Sequence, residues 1–173
     1  MQNSNRLGDF GEDTVSQLLH RRIAGAHPFS VHRLGEKAPT LDFIVNLVDA
    51  RGHEYGPFFF IQVRTTGRIA RAGQGICANF SAHDVALAQA RRVPVYLAAV
   101  LSTDNNSEEI YALGIDSAQT GGVRVVPRLF ALSDETVRMA IYHEVHAYFD
   151  SGVKKFVSRL TRKTGRIDHD YFG

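Results

Sequence analysis

Polar and charged side chains interrupt two apolar stretches of this sequence between residues 40 and 66. Asp42 lies in the first stretch, LDFIVNLV, and Gln62 and Arg64 lie near the end of the second, FFFIQVRTT. A carboxylate buried in a strand without a partner costs on the order of several kcal/mol. Either a divalent cation or the nearby Arg64 would compensate Asp42, so these residue types point to metal or anion chemistry.

Both stretches have the length and composition of strands, and the polar turn around Gly52 predicts a β-hairpin. Side chains alternate between the two faces of a strand, which places Gln62 and Arg64 on one face. Folding about Gly52 brings Asp42 roughly opposite Gln62. The hairpin is therefore expected to form the centre of the sheet.

Glu12 lies on a predicted helix from about Asp9 to Arg22, at the edge of the apolar stripe that contains Val15, Leu18 and Leu19. That position directs its carboxylate toward whatever the helix packs against. The alternative is an acidic residue in the first turn that is favoured only by the helix dipole.

Hard oxygen ligands of the kind that bind Mg²⁺ or Mn²⁺ are available from this set of residues. Glu12 and Asp42 offer carboxylates, Gln62 a side-chain carbonyl, and Val63 its main-chain carbonyl. Arg64 would be the positive group beside an attacked phosphate. The catalytic candidates are therefore Asp42, Gln62, Arg64 and Glu12, and a metal-dependent phosphodiesterase needs such an arrangement.

The remaining pattern predicts one α/β domain, since 173 residues with 44% hydrophobic content can bury a core. Strands are expected at about 29–34, 76–80, 93–102, 110–115 and 121–127. Helices are expected after the cap residues Ser81 and Ser133, ending near Arg92 and Phe149. A helix between the buried strands 76–80 and 93–102 favours a parallel right-handed crossover.

Basic residues near the end of the chain could contact a phosphate backbone. Residues 151–173 predict a basic amphipathic extension, helical in its first part and packed on the same domain, and the loop 67–75 is rich in Gly and Arg. The alternative is an ordinary solvated face. The candidate nucleic-acid-binding residues are Arg68, Arg71, Lys154, Lys155, Arg159, Arg162 and Lys163.

Several other functions lack their sequence signatures. His143 and His146 are three residues apart, whereas zinc proteases need HExxH, and the chain has no Walker, GxGxxG or GxSxG motif. A lone cysteine, Cys77, excludes an internal disulfide. With no signal peptide and no long apolar run, we expect a cytoplasmic protein that is not embedded in a membrane.

The segments RLGDFGE, LDFIVNLV and FFFIQVRTT together resemble the PD-(D/E)xK nuclease superfamily. More narrowly, they are similar to the prokaryotic family called domain of unknown function 4365. The resemblance implies a restriction-endonuclease-like core over residues 1–150, with a mixed central sheet flanked by helices on both faces. It also implies a Mg²⁺- or Mn²⁺-dependent nuclease acting on nucleic acid, DNA first of all, in prokaryotic antiviral defence or mobile-element biology.

Arg64 occupies the place where that family has a lysine. Arginine keeps the positive charge but is longer, planar and always protonated. Two alternatives to an enzyme therefore stay open: a degenerate nuclease fold that binds nucleic acid or protein, including a second copy of the chain, and a structural subunit with a buried Asp42–Arg64 ion pair.

Overall fold

A mixed five-stranded sheet forms the centre of the protein. The computed structural model describes residues 2–35, 40–67, 75–102, 108–152 and 154–161. The elements are α1 (Gln2–Leu19), β1 (Phe29–Arg33), β2 (Phe43–Val48), β3 (Glu54–Thr66), β4 (Gly75–Phe80), α2 (Ala82–Ala90), β5 (Val95–Ser102), β6 (Glu108–Gly114), β7 (Val123–Pro127) and α3 (Glu135–Asp150). The order of strands in the large sheet is β1-β2-β3-β5-β6, and β4 pairs with β7 in a separate two-stranded sheet.

The predicted hairpin is confirmed. Strands β2 and β3 are antiparallel, with Phe43 opposite Ile61. Asp49 organises the turn, because its Oδ1 accepts hydrogen bonds from the main-chain N–H groups of Arg51 and His53, both at 2.9 Å. Gly52 has φ +84°, a conformation that glycine adopts without strain.

The predicted parallel crossover from β4 to β5 is wrong. The parallel partner of β5 is β3, and β5 pairs with antiparallel β6 on its other side, so both of its edges are occupied. Strand β4 pairs instead with β7. The connection between the parallel strands therefore contains β4 as well as α2.

Helices cover both faces of the large sheet. Val15 of α1 and Ile141 of α3 pack with Tyr96 and other residues on one face, which we call the α1–α3 face. Val85 of α2 packs with Leu97 and with β4 and β7 on the opposite face. The prediction of a single α/β domain with a mixed, helix-flanked sheet is confirmed at this level.

The helix boundaries show which local signals were reliable. Ser81 caps α2 through a capping box with Asp84, as the sequence indicates. The cap of α3 is Asp134 rather than the predicted Ser133, because the Asp134 side chain accepts from the N–H of Thr136 at 2.8 Å. Helix α1 begins at Gln2 and ends at Leu19, earlier at both ends than predicted.

The predicted basic helix after Gly152 is wrong for the described residues 154–161, which form no regular element. Their main-chain groups bond to distant parts of the fold: the carbonyl groups of Phe156 and Leu160 accept from Ser117 and Gly114. Phe156 and Leu160 are nevertheless buried against the rest of the domain. None of the helices in the described part of the chain is both long enough and apolar enough to cross a lipid bilayer.

Candidate active site

Asp42 lies immediately before β2, opposite Gln62, as the hairpin pattern predicts. Its Oδ2 accepts the main-chain N–H of Val63 at 2.6 Å and the side-chain Nε2 of Gln62 at 2.7 Å. Its own N–H donates to the carbonyl of Ile61. Because β2 begins only at Phe43, the carboxylate of Asp42 accepts the N–H group of Val63 that a main-chain carbonyl of a longer β2 would accept.

The amide of Gln62 bridges two oxygen atoms. Besides Asp42, Nε2 also donates to the carbonyl oxygen of Val63 at 3.1 Å. Gln62 is only 3% exposed, and its Oε1 is buried without a hydrogen-bond partner. Leaving a buried acceptor unpaired costs about 1–3 kcal/mol.

This oxygen set fits a hard divalent cation. A half turn of the terminal amide exchanges the places of Oε1 and Nε2, so Gln62 can present oxygen toward the carboxylate of Asp42 and the carbonyl of Val63. Three oxygens facing one another repel unless a cation lies between them. The described residues include no group of three or more His, Cys, Asp or Glu side chains that could hold a metal. The candidate ligands are accordingly amide and main-chain oxygens together with two carboxylates.

Glu12 is the second candidate carboxylate, and it is half-buried on α1, which packs on the α1–α3 face. Its side chain is 28% exposed, and its Oε2 lies 3.9 Å from Nε of Arg33. Burial raises the pKa of Glu12, and the charge of Asp42 raises it further, while Arg33 lowers it. The two carboxyl groups therefore interact electrostatically.

Burial likewise raises the pKa of Asp42. The hydrogen bond from the N–H of Val63 and the charges of Arg64 and Arg33 act in the opposite direction without cancelling it. A proton therefore competes with a cation for Asp42 to a higher pH than at an exposed aspartate.

Arg64 is on the same face of β3 as Gln62. Its guanidinium lies 5.8 Å from the ring centroid of Phe80, and its charge lowers the pKa values of Asp42 and Asp84. Among the described residues, the ion pairs within 4 Å do not include one between Asp42 and Arg64. The buried ion pair of the structural alternative is therefore not formed.

Arg33 is a site residue that the sequence reasoning missed. It pairs with Asp13 and approaches Glu12, and its guanidinium lies 5.8 Å from the ring of Phe43. Arg33 is opposite Phe43 in the β1–β2 ladder, next to Asp42. A short connection between two antiparallel strands was the available signal, since it brings the end of β1 beside the start of β2.

Of the predicted basic residues, three are among the described residues. Lys154 and Lys155 are exposed, on a segment whose Phe156 packs on the α1–α3 face, whereas Gln62 and Arg64 project from the opposite face. The main-chain N–H of Arg159 donates to Oε1 of Glu144. The other members of the predicted set, Arg68, Arg71, Arg162 and Lys163, are outside the described residues.

No family model, no curated protein and no solved structure matches this chain.

Proposed function

We propose that this protein is a metal-dependent nuclease that hydrolyses phosphodiester bonds in nucleic acid, with DNA as the first substrate to test. The observation that carries the proposal is the set of oxygen atoms around the amide of Gln62, with its own Oε1 buried and unpaired. Asp42, Gln62, Val63 and Glu12 would hold Mg²⁺ or Mn²⁺. When bound, the cation supplies Lewis-acid activation of the phosphate and of a water molecule.

The surrounding residues have distinct parts in this proposal. Arg64 and Arg33 place positive charge near Asp42, where negative charge develops on an attacked phosphate. Glu12 has a raised pKa, which suits a carboxyl group that accepts a proton from the attacking water. The resemblance noted above extends the proposal to a cytoplasmic role in prokaryotic defence or mobile-element biology.

The direct test measures metal binding and cleavage in the same preparations. Calorimetry with Mn²⁺ should show binding to the wild type and its loss in Asp42→Asn, and cleavage of DNA should require Mg²⁺ or Mn²⁺ and disappear in the same variant. Glu54→Gln is the matched control, because Glu54 is an exposed carboxylate on β3 bound by His32 and Asn46. Cleavage that persists in Asp42→Asn or in excess chelator would refute the proposal.

A second candidate function is binding of nucleic acid without cleavage. It is favoured by Arg64, whose guanidinium lies over Phe80 and interacts with Asp84 as well as Asp42. Arg64→Lys separates the candidates, since lysine is a compact point charge. An inactive wild type that binds DNA and gains metal-dependent cleavage through Arg64→Lys would support the second candidate.

A further inference from the structure

Among the described residues, no helix or second sheet packs on the outer face of β1, β2 and the first part of β3. Along β2, Phe43, Val45 and Leu47 are buried, whereas Ile44 and Asn46 on the other face are only half-buried. The core beneath α2, β4 and β7 includes no described residue of β1 or β2. We call this area the open face.

The open face leads directly to the candidate active site. Phe58, Phe60, Gln62 and Arg64 alternate along one side of β3, and Asp42 lies opposite Gln62. Side chains two residues apart on a strand are spaced by about 7 Å. A ligand stretched along this side of β3 would therefore reach from the aromatic residues to the carboxylate.

Aromatic rings line the far end of the open face. The rings of Phe58 and Phe60 are 5.7 Å apart, and those of Phe58 and Phe149 are 5.5 Å apart. Phe149, near the end of α3, is 37% exposed. We call Phe58, Phe60 and Phe149 the aromatic strip. Phe60 packs against the core beneath α2, whereas Phe58 and Phe149 belong to neither core cluster. Clustered aromatic rings that are partly exposed are typical of binding surfaces.

The charges around the aromatic strip favour a polyanion. The exposed Arg91 has its guanidinium 5.7 Å from the ring centroid of Phe60. Within the described residues, neither Arg91 nor Arg64 forms an ion pair. The carboxylate of Glu54 on this side is bound by Asn46 at 2.9 Å and by His32 at 3.0 Å. The cations are thus available to a ligand, while this carboxylate already has partners.

We propose that the open face binds single-stranded nucleic acid, with bases stacked against the aromatic strip and phosphates near Arg91 and Arg64. The inference rests on the proposed function, since it names the form of the substrate that reaches Asp42. Stacking on a protein ring requires the flat face of a base, which a duplex keeps inside its own stack. A single strand exposes these faces and still carries the phosphates that arginines bind.

The experiment measures fluorescence anisotropy of labelled oligonucleotides in excess chelator, so that binding is separated from cleavage. A short single strand is compared with a duplex of the same sequence and with an abasic strand of the same length. Phe58→Leu keeps apolar volume but removes the ring, and Phe58→Tyr keeps the ring. Phe10→Leu is the matched control, since Phe10 is 42% exposed on α1, which packs on the other face. Circular dichroism checks that each variant is folded.

We expect the single strand to bind more tightly than the duplex. Phe58→Leu should weaken binding of the single strand roughly 5-fold to 150-fold, the range measured for a lost base–aromatic stack. Phe58→Tyr and Phe10→Leu should bind as the wild type does, and the abasic strand should bind wild type and Phe58→Leu equally.

Unchanged affinity in Phe58→Leu, or tighter binding of the duplex, would overturn the inference. It would also be overturned if sedimentation showed a wild-type dimer that Phe58→Leu converts to monomer, because the open face would then be a contact between copies. A strand that binds in chelator but stays uncut with Mg²⁺ and Mn²⁺ would refute the proposed nuclease and leave this binding surface standing. Metal-dependent cleavage of DNA that Phe58→Leu leaves unchanged would support the proposed nuclease and refute this binding surface.

Discussion

The amide of Gln62 decides what the candidate site can hold. With Nε2 toward Asp42 and Val63, the amide satisfies both oxygens but leaves Oε1 buried without a partner. With Oε1 facing Asp42 and Val63 instead, three oxygen atoms face one another, and a cation is required between them. The preference between metal-free and metal-bound states therefore depends on one side-chain group.

Gln62→Glu should shift this preference toward the metal. The new carboxylate cannot donate to Asp42, so we expect lower stability to urea in chelator, by about 1–3 kcal/mol, and tighter Mn²⁺ binding in calorimetry. Gln89→Glu is the control, because the side-chain Nε2 of Gln89 also donates to two oxygen atoms, the main-chain carbonyls of Asp116 and Gln119. It should lose stability without gaining metal affinity. Equal Mn²⁺ affinity in wild type and Gln62→Glu would contradict the site.

The raised pKa of Asp42 predicts a pH dependence of stability in the metal-free protein. Folding favours the protonated form, so the stabilisation is complete below the unfolded pKa of 3.8 and is lost as pH rises through the higher folded pKa. Asp42→Asn should therefore gain stability relative to wild type as pH rises through this window, measured by urea unfolding.

Asp49→Asn should show the opposite sign. Hydrogen bonds from the N–H groups of His53 and Arg51 help to lower the pKa of Asp49, so its stabilisation is present above pH 3.8 and is lost as pH falls through the lower folded pKa.

A pH-independent difference in unfolding free energy between wild type and Asp42→Asn would show that the pKa of Asp42 is not perturbed by burial.

At the scale of elements, the position of Glu12 depends on how closely α1 approaches β3. A Cβ atom at Gly11 would lie 1.9 Å from Oγ1 of Thr65, whose hydroxyl is buried without a hydrogen-bond partner. Glycine therefore allows the contact that brings the neighbouring Glu12 to the site.

Gly11→Ala should push α1 away from β3. We expect a loss of about 1–3 kcal/mol in the free energy of unfolding, from overpacking, together with weaker Mn²⁺ binding. Thr65→Ala removes the closest atom, so the double variant should recover part of both losses. Gly8→Ala is the control, because a Cβ at Gly8 meets no atom within 4 Å. If Gly11→Ala lost stability but kept full Mn²⁺ affinity, Glu12 would not be a ligand.

The elements also show where sequence reasoning succeeds. The capping box of Ser81 and Asp84 and the hairpin that places Asp42 opposite Gln62 depend on residues close in sequence, so their patterns were readable. The partner of β4 is β7, far along the chain, and apolar content alone did not distinguish it from β5. Arg33 was missed for the related reason that its neighbours come from α1 and β2.

Residues 154–161 do not form the predicted helix, because carboxylate groups elsewhere in the fold accept hydrogen bonds from their main-chain N–H groups. Glu144 accepts the N–H of Arg159 at 2.6 Å and the hydroxyl groups of Ser158 and Tyr96, and Asp116 accepts the N–H of Ser158. These carboxylates satisfy N–H groups that a helix would have paired internally. An apolar stripe with helical spacing could not reveal acceptors in α3 and after β6.

At the scale of the whole molecule, the sheet separates two surfaces that could meet nucleic acid. Arg91 and the candidate site lie beside the open face, while the segment with Lys154 and Lys155 packs on the α1–α3 face. A strand must pass around an edge of the sheet to touch both surfaces. Strand length should therefore determine which basic residues contribute to affinity.

Charge reversal at Lys154 and Lys155 should leave the affinity for a short single strand unchanged and lower the affinity for a long one. Arg91→Gln should weaken binding of both, because every strand that reaches Asp42 crosses the open face. Arg124→Gln, an exposed arginine of β7, is the control for lost charge. Anisotropy titrations over a range of salt measure the effect, since each phosphate contact with a single strand contributes roughly 0.7 to the slope of log affinity against log salt. If the reversal at Lys154 and Lys155 weakened short and long strands equally, the two surfaces would act as one, and the binding path would run over the α1–α3 face instead.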